Sequence, residues 1–331
     1  MRLLTHPMLV KMNAYIRNKH GHVNPLWRVR YGIGIVYNYL KYQATISDYF
    51  ELTFYKKRHQ EKQKYITSPQ ALSFATFVDS MDAISKYFSK TEMYQALGEY
   101  IQRDQLFTSQ CTREQFMDYI KVHPRCIYKP DKDDCGHGIE LWTVDETNAE
   151  DKYRQAVSAP AVLDELVVQS PIMASLNPSS VNTIRLYSLL IGSELKFFAS
   201  FIRMGRNGAI VDNLGSGGLL AGVDIRTGQV FTPGTDDTGR CFEKHPDTGA
   251  VIRGFQVPNW QALLQFTGKV AKHYPLHYVG WDIAICENGF QIIEVNPDPM
   301  IHGIQTEFFG GRKKQYEEFE KEIKEYKDGL H

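Results

Sequence analysis

The stretch that most constrains this chain is WDIAICENGFQIIEVNP, residues 281–297. Two apolar runs meet at Glu287-Asn288-Gly289, the signature of a β-hairpin apolar enough to be buried on both faces. Each run nevertheless carries polar groups at the end away from the turn, Asp282 in one and Glu294 with Asn296 in the other. Glu294 and Asn296 stand two apart in a strand and so share a face. Whether Asp282 joins them depends on the turn. A two-residue loop at Asn288-Gly289 pairs Asp282 with Val295 and leaves Glu294 on the opposite face. A three-residue loop, with Gly289 left-handed in a bulge, pairs Cys286 with Phe290, Ala284 with Ile292 and Asp282 with Glu294. Facing carboxylates repel, and burying them unpaired is costly. A hard divalent cation held by oxygen ligands removes both objections. The sequence therefore predicts the three-residue turn and, with it, a magnesium site.

Such a hairpin needs a core to sit in. With 331 residues, 43% of them hydrophobic, the chain can build one large domain plus an accessory region. The net charge of zero is unevenly spread: residues 1–64 hold 12 Lys and Arg against 3 Asp and Glu, and the rest hold 26 against 35. A basic N-terminal segment can complement anionic lipid, nucleic acid or the acidic remainder of the chain. Five cysteines without CxxC spacing fit a reducing, cytoplasmic setting. Residues 1–11 lack the apolar core of a signal peptide, and residues 31–40 are too short to span a bilayer.

Residues 1–64 read as basic, Tyr-rich helices, and further helical patterns run over 91–102 and 112–121. Strands are expected at 126–129, 139–144, 162–169, 183–191 and 195–204, with a hairpin at 222–225 and 229–231. Helices follow at 259–272 and 312–327. Antiparallel hairpins segregated from helices give an α+β architecture.

Three further stretches carry chemistry. YKPDKDDCGHGI (128–139) reads as strand, polar glycine turn, strand; such a turn can close over phosphates, although a surface hairpin also explains it. Its acids Asp131, Asp133 and Asp134 count against phosphate unless Lys132 and His137 offset them. NPSSVNTIRLY (177–187) places Arg185 in an apolar strand, where it needs an anion, either phosphate or a structural carboxylate. Arg203 on the neighbouring strand repels it unless both converge on one. VDNLGSGG (211–218) is a glycine-rich loop that can approach a ligand closely.

In order and spacing, NPSSVNTIRLYSLL (177–190), RMGRNGAIVDNLGSGGLLAGVD (203–224) and GWDIAICENGFQIIEVNPDP (280–299) resemble the ATP-grasp superfamily over roughly residues 80–310. They look most like its sugar-transfer-associated branch, related to alpha-L-glutamate ligases. The resemblance implies an ATP-grasp fold, two α+β subdomains clasping ATP, over residues 66–331, preceded by a basic helical region at 1–65. Lys129 would match the lysine reaching the adenine and α-phosphate, and Lys90 an earlier phosphate lysine. Gly136, His137 and Gly138 would belong to the phosphate lid, and Asp164, Glu165, Leu166 and Val167 to the adenine hinge. Arg185 and Arg203 would act on the transferred phosphoryl group, and Asn213, Gly217 and Gly218 would line the acceptor site. Asp282, Glu294 and Asn296 would bind magnesium, two ions in the usual pattern. The family's N-terminal βαβ domain is not visible, and the acidic lid is a second departure.

The implied reaction is ATP-dependent joining of a carboxylate to an amine through an acyl phosphate, decorating a cell-surface polysaccharide or its precursor. A kinase acting on a hydroxyl is the alternative. The expected partners are small-molecule or glycan substrates rather than nucleic acid, with a peripheral membrane contact through the basic segment.

Overall fold

A computed structural model describes residues 6–132 and 138–329. The basic N-terminal sequence forms α1 (His6–His20), α2 (Pro25–Tyr42), α3 (Ile46–Glu51) and α4 (His59–Lys62). Local chemistry sets their starts. Asn24 accepts the Leu26 amide at 2.7 Å with Pro25 in the first turn of α2, and Thr45 with Asp48 forms a capping box on α3. Met12, Ile16, Tyr31, Ile35, Tyr49, Phe50 and Phe54 enclose a small, aromatic-rich core of their own. Two buried polar groups tie it to the rest of the chain. The Gln305 side chain brackets the backbone of Ile66, accepting from its amide at 3.0 Å and donating to its carbonyl at 2.9 Å. Asp48 accepts from Ser68 and from His302.

Next come α5 (Ser68–Val78), α6 (Met81–Lys86) and α7 (Lys90–Leu97), then β1 (Gln105–Phe107), α8 (Arg113–Val122), β2 (Arg125–Pro130), β3 (Glu140–Thr143), α9 (Ala149–Val157) and β4 (Ala161–Glu165). The four strands form an antiparallel sheet in the order β1-β4-β2-β3. Phe116 of α8 and Ala156 of α9 pack on it with Cys126, Trp142 and Leu163. A capping box of Thr112 and Gln115 opens α8.

The second sheet follows α10 (Pro171–Ala174) and contains β5 (Thr183–Ile191), β6 (Glu194–Met204), β7 (Leu219–Gly222), β8 (Gly234–Thr235) and β9 (Cys241–Phe242). After α11 (Trp260–His273) come β10 (Tyr278–Cys286), β11 (Gly289–Asn296) and α12 (Lys313–Asp328). The order is β11-β10-β5-β6-β7-β8-β9, antiparallel throughout. Both faces are covered, which explains why the strands read as continuous apolar runs. Val279, Trp281, Ile283 and Ile285 of β10 face the core shared with α11. Tyr278 joins Tyr187 and Phe198 against Phe74 of α5 and Tyr316 of α12. The alternation sends Arg185, Arg203 and Asp282 to this second face.

Two expectations change. The hairpin at 222–225 and 229–231 reduces to a single bridge between Val223 and Val230. The β10–β11 turn is a two-residue loop, Glu287-Asn288, with Cys286 paired to Gly289, whose φ is +130°. The three-residue turn is therefore absent, yet Asp282 does pair with Glu294, as expected. The extra residue is Ile293: Ile283 pairs with Ile292, and the register then shifts by one. A bulge inside the strand does what the sequence assigned to the turn.

Candidate functional site

The two sheets bound a cleft of about 420 Å3. The first sheet supplies Ile127, Leu141 and Lys129, and the end of β4 with the chain leaving it supplies Asp164, Glu165, Leu166 and Val167. Thr183, Arg203, Asp212, Asn213 and Glu294 come from the second sheet and its glycine loop. Lys90, first residue of α7, adds a cation. One end is thus apolar and the other polar and charged, as a pocket with an oriented ligand requires.

At the polar end Asp282 is fully buried and receives two guanidinium groups. Arg185 engages it through Nε and, at 2.7 Å, through Nη2; Arg203 Nη2 donates to it at 2.7 Å. Burial opposes the Asp282 charge, but Arg185 and then Arg203 outweigh it and hold the carboxyl below its usual range. Of the two readings of Arg185, phosphate or a structural carboxylate, its present partner is the carboxylate. Arg203 also donates through Nε to Thr183 Oγ1 at 3.1 Å and stands 3.5 Å from Asp212. Asp212 in turn accepts from the Thr183 amide at 3.0 Å, so the glycine loop is pinned to the start of β5.

Glu294 faces the cleft beside this cluster. Burial and then the Asp282 charge raise its pKa, and no side chain among the described residues hydrogen-bonds to its carboxylate. Asn296, on the same face, donates to Asp282 Oδ2 at 3.3 Å. The set of Asp282, Glu294 and Asn296 is all oxygen-bearing, and its carboxylates are mutually destabilising. It fits a hard divalent cation, with Glu294 as the member whose carboxylate accepts no side-chain hydrogen bond among the described residues.

The lysine expected near the adenine sits in a buried network. Lys129 Nζ donates to Asp164 at 2.6 Å and to the Tyr94 hydroxyl at 3.0 Å. Arg103 Nε donates to the other Asp164 oxygen at 2.7 Å, and its Nη1 reaches the Ile292 carbonyl of β11 at 2.8 Å. Burial pushes the Asp164 carboxyl up, but Lys129 and Arg103 outweigh it and hold it down. Asp164 is thus committed to cations, and Glu165 is the freer of the two acids. Tyr94, Arg103 and Asp212 escaped the sequence reading, because a lone tyrosine or arginine in a polar segment carries no spacing signal.

Asp131 does not point at a phosphate site. It accepts from Ser89 Oγ at 3.0 Å and from the Thr91 amide at 2.8 Å, capping α7 and placing Lys90 at the cleft. Asp133, Asp134, Gly136 and His137 lie outside the described residues. Gly138 has φ +68° where the chain turns back toward Ile139. Asn213 lines the cleft, and its carbonyl accepts the Gly218 amide at 3.0 Å. Gly218 must be glycine, since a Cβ there would meet Asp212 O at 2.4 Å. Gly217 has φ +89° and accepts from Arg206. A separate cluster of Asp104, His123 and Glu165 lies at the hinge surface, joined by a 2.9 Å contact between His123 and Asp104.

Among solved structures, the ATP-grasp ligase PsnB with minimal precursor, Mg and ADP matches at 14% identity and TM-score 0.46, over 80% of this chain and 69% of that one. PsnB with the minimal precursor alone matches at 15% identity and TM-score 0.42, over 68% of this chain and 57% of that one. The N5-carboxyaminoimidazole synthetase from Staphylococcus aureus with ADP matches at 10% and 0.44, over 72% and 52%. The chain thus spans between about half and about two thirds of their lengths. No curated protein matches. The sequence model of the sugar-transfer-associated ATP-grasp family matches residues 143–320, from the end of β3 into α12. With more than half of its residues in that match, the chain belongs to the sugar-transfer-associated ATP-grasp family.

Proposed function

We propose that the protein is an ATP-dependent carboxylate–amine ligase. The observation that carries this reading is Glu294, paired across the strands with the buried Asp282, lining one cleft with Lys90, Lys129 and Arg203. The apolar end, between Ile127, Leu141 and Leu166, takes the adenine, and the polar end takes the phosphates. Asp282, Glu294 and Asn296 would hold magnesium, which would supply neutralisation of phosphate charge. Arg203 faces the phosphoryl group in transfer, and Arg185 fixes Asp282 from behind. A carboxylate oxygen of the substrate takes the γ-phosphoryl group, and ADP leaves. The amine nitrogen then attacks the acyl carbon, phosphate leaves, and the nitrogen gives up a proton to solvent. No general base is required; an oriented, deprotonated amine and fixed cations suffice. Residues 66–331 form the catalytic body, and the basic helices of residues 1–65 lie beside it. The sugar-transfer association of the family favours a cell-surface polysaccharide or its precursor as the acceptor.

The test is an ADP-release screen over pairs of carboxylates and amines, with hydroxylamine added to each carboxylate. A ligase gives a hydroxamate together with ADP. ADP release on a hydroxyl compound with no hydroxamate from any carboxylate would replace this reading with a kinase.

A further inference from the structure

One face of α2 has no partner among the described residues. Leu26, Val29, Ile33, Tyr37 and Leu40 recur at spacings of three and four residues, so they form one stripe along the helix. All five are exposed, from 50% for Tyr37 to 76% for Leu26. The opposite face, with Tyr31, Ile35 and Asn38, is buried against α1 and α3. A surface helix with only an inner apolar face would carry polar residues where these five stand. Arg30 lies four residues from Leu26 and three from Ile33, and Lys41 four from Tyr37, so cations border the stripe. Lys41 Nζ reaches the Tyr37 hydroxyl at 3.1 Å.

Charge selects the occupant. Residues 1–47 contain seven Lys and Arg and no Asp or Glu. A second copy of the chain would bring two such acid-free segments together, and the like charges would oppose the apolar contact. An anionic bilayer satisfies both features, taking the apolar stripe below the headgroups and the cations among them. No helix among the described residues is long and apolar enough to cross a membrane, so α2 lies along the surface rather than through it.

We infer that α2 docks the protein on anionic membrane surfaces through Leu26, Val29, Ile33, Tyr37 and Leu40, with Arg30 and Lys41 at the headgroups. This surface belongs to residues outside the family match and does not depend on the ligase reading. The experiment is flotation of the full chain with vesicles of phosphatidylcholine alone or mixed with one third phosphatidylglycerol. The protein should float with the mixed vesicles only, and added salt should weaken binding. Combined Leu26→Gln, Ile33→Gln and Leu40→Gln should weaken it about tenfold or more, and Arg30→Glu with Lys41→Glu should do the same. These side chains are exposed, so the melting temperature and ATP binding should stay unchanged in both variants. Absence of flotation, equal flotation with neutral vesicles, or undiminished binding by the triple variant would overturn the inference. So would a dimer in solution that the triple substitution dissolves while vesicles capture nothing.

Discussion

Asp282 and Glu294 face each other across one strand pair, yet their surroundings give them different work. Asp282 is the anion that lets Arg185 and Arg203 be buried side by side, so its charge is structural before it is catalytic. Glu294 has the opposite profile, a carboxylate whose charge burial and Asp282 oppose and to which no side chain among the described residues hydrogen-bonds. A second buried charge system, at His302, gives a pH prediction. Burial opposes the charge on His302, but Glu51 and the hydrogen bond to Asp48 outweigh it and raise its pKa above the usual value of about 6.5. A folded-state pKa above the unfolded one adds stability that is full below the unfolded value and is lost as pH rises through the raised value. Melting curves of the parent protein and His302→Gln should therefore differ most near about pH 6 and converge as the solution becomes alkaline. A gap that widens with pH would mean that the neutral imidazole is the stabilising form.

Elements place these residues, and here part of the site was legible. Two-residue periodicity put Glu294 and Asn296 on one face, and the pairing of Asp282 with Glu294 was reached through a three-residue turn that the structure lacks. Periodicity could not locate the extra residue, because a bulge in the turn and a bulge at Ile293 produce the same register at the acid end. The buried faces decide it: Ile292 has to meet Ile283 in the core under α11, and the shift is absorbed only beyond that pair. The Arg103 network was illegible for a different reason. Arg103 stands 61 residues from Asp164 and 189 from Ile292, and only the folded chain shows that it links β4 to β11. It joins the strand end that leads into the hinge to the strand that bears Glu294. Arg103→Met should cost about 3–5 kcal/mol by leaving Asp164 under-compensated, and should raise the KM for ATP. Urea unfolding and ADP-release kinetics measure the two effects. If the KM is unchanged at a temperature where the variant is folded, Arg103 serves stability alone.

At the scale of the molecule, the zero net charge conceals a division of labour. The acidic remainder carries the two sheets and the cleft, while the basic helices build a separate aromatic core and contribute no residue to the cleft lining. The α+β class and the family resemblance were readable because each motif is local. The pairing of the two sheets was not, since it depends on contacts between segments distant in sequence. The central claim is that the cleft binds magnesium and ATP together, with Glu294 as a metal ligand. Calorimetric titration of ATP, with and without magnesium, into the parent protein and Glu294→Gln tests it most directly. The account predicts magnesium-dependent ATP binding by the parent, loss of the magnesium dependence in the variant, and an undiminished melting temperature. Equal magnesium-dependent binding by Glu294→Gln, or none by the parent, would contradict it.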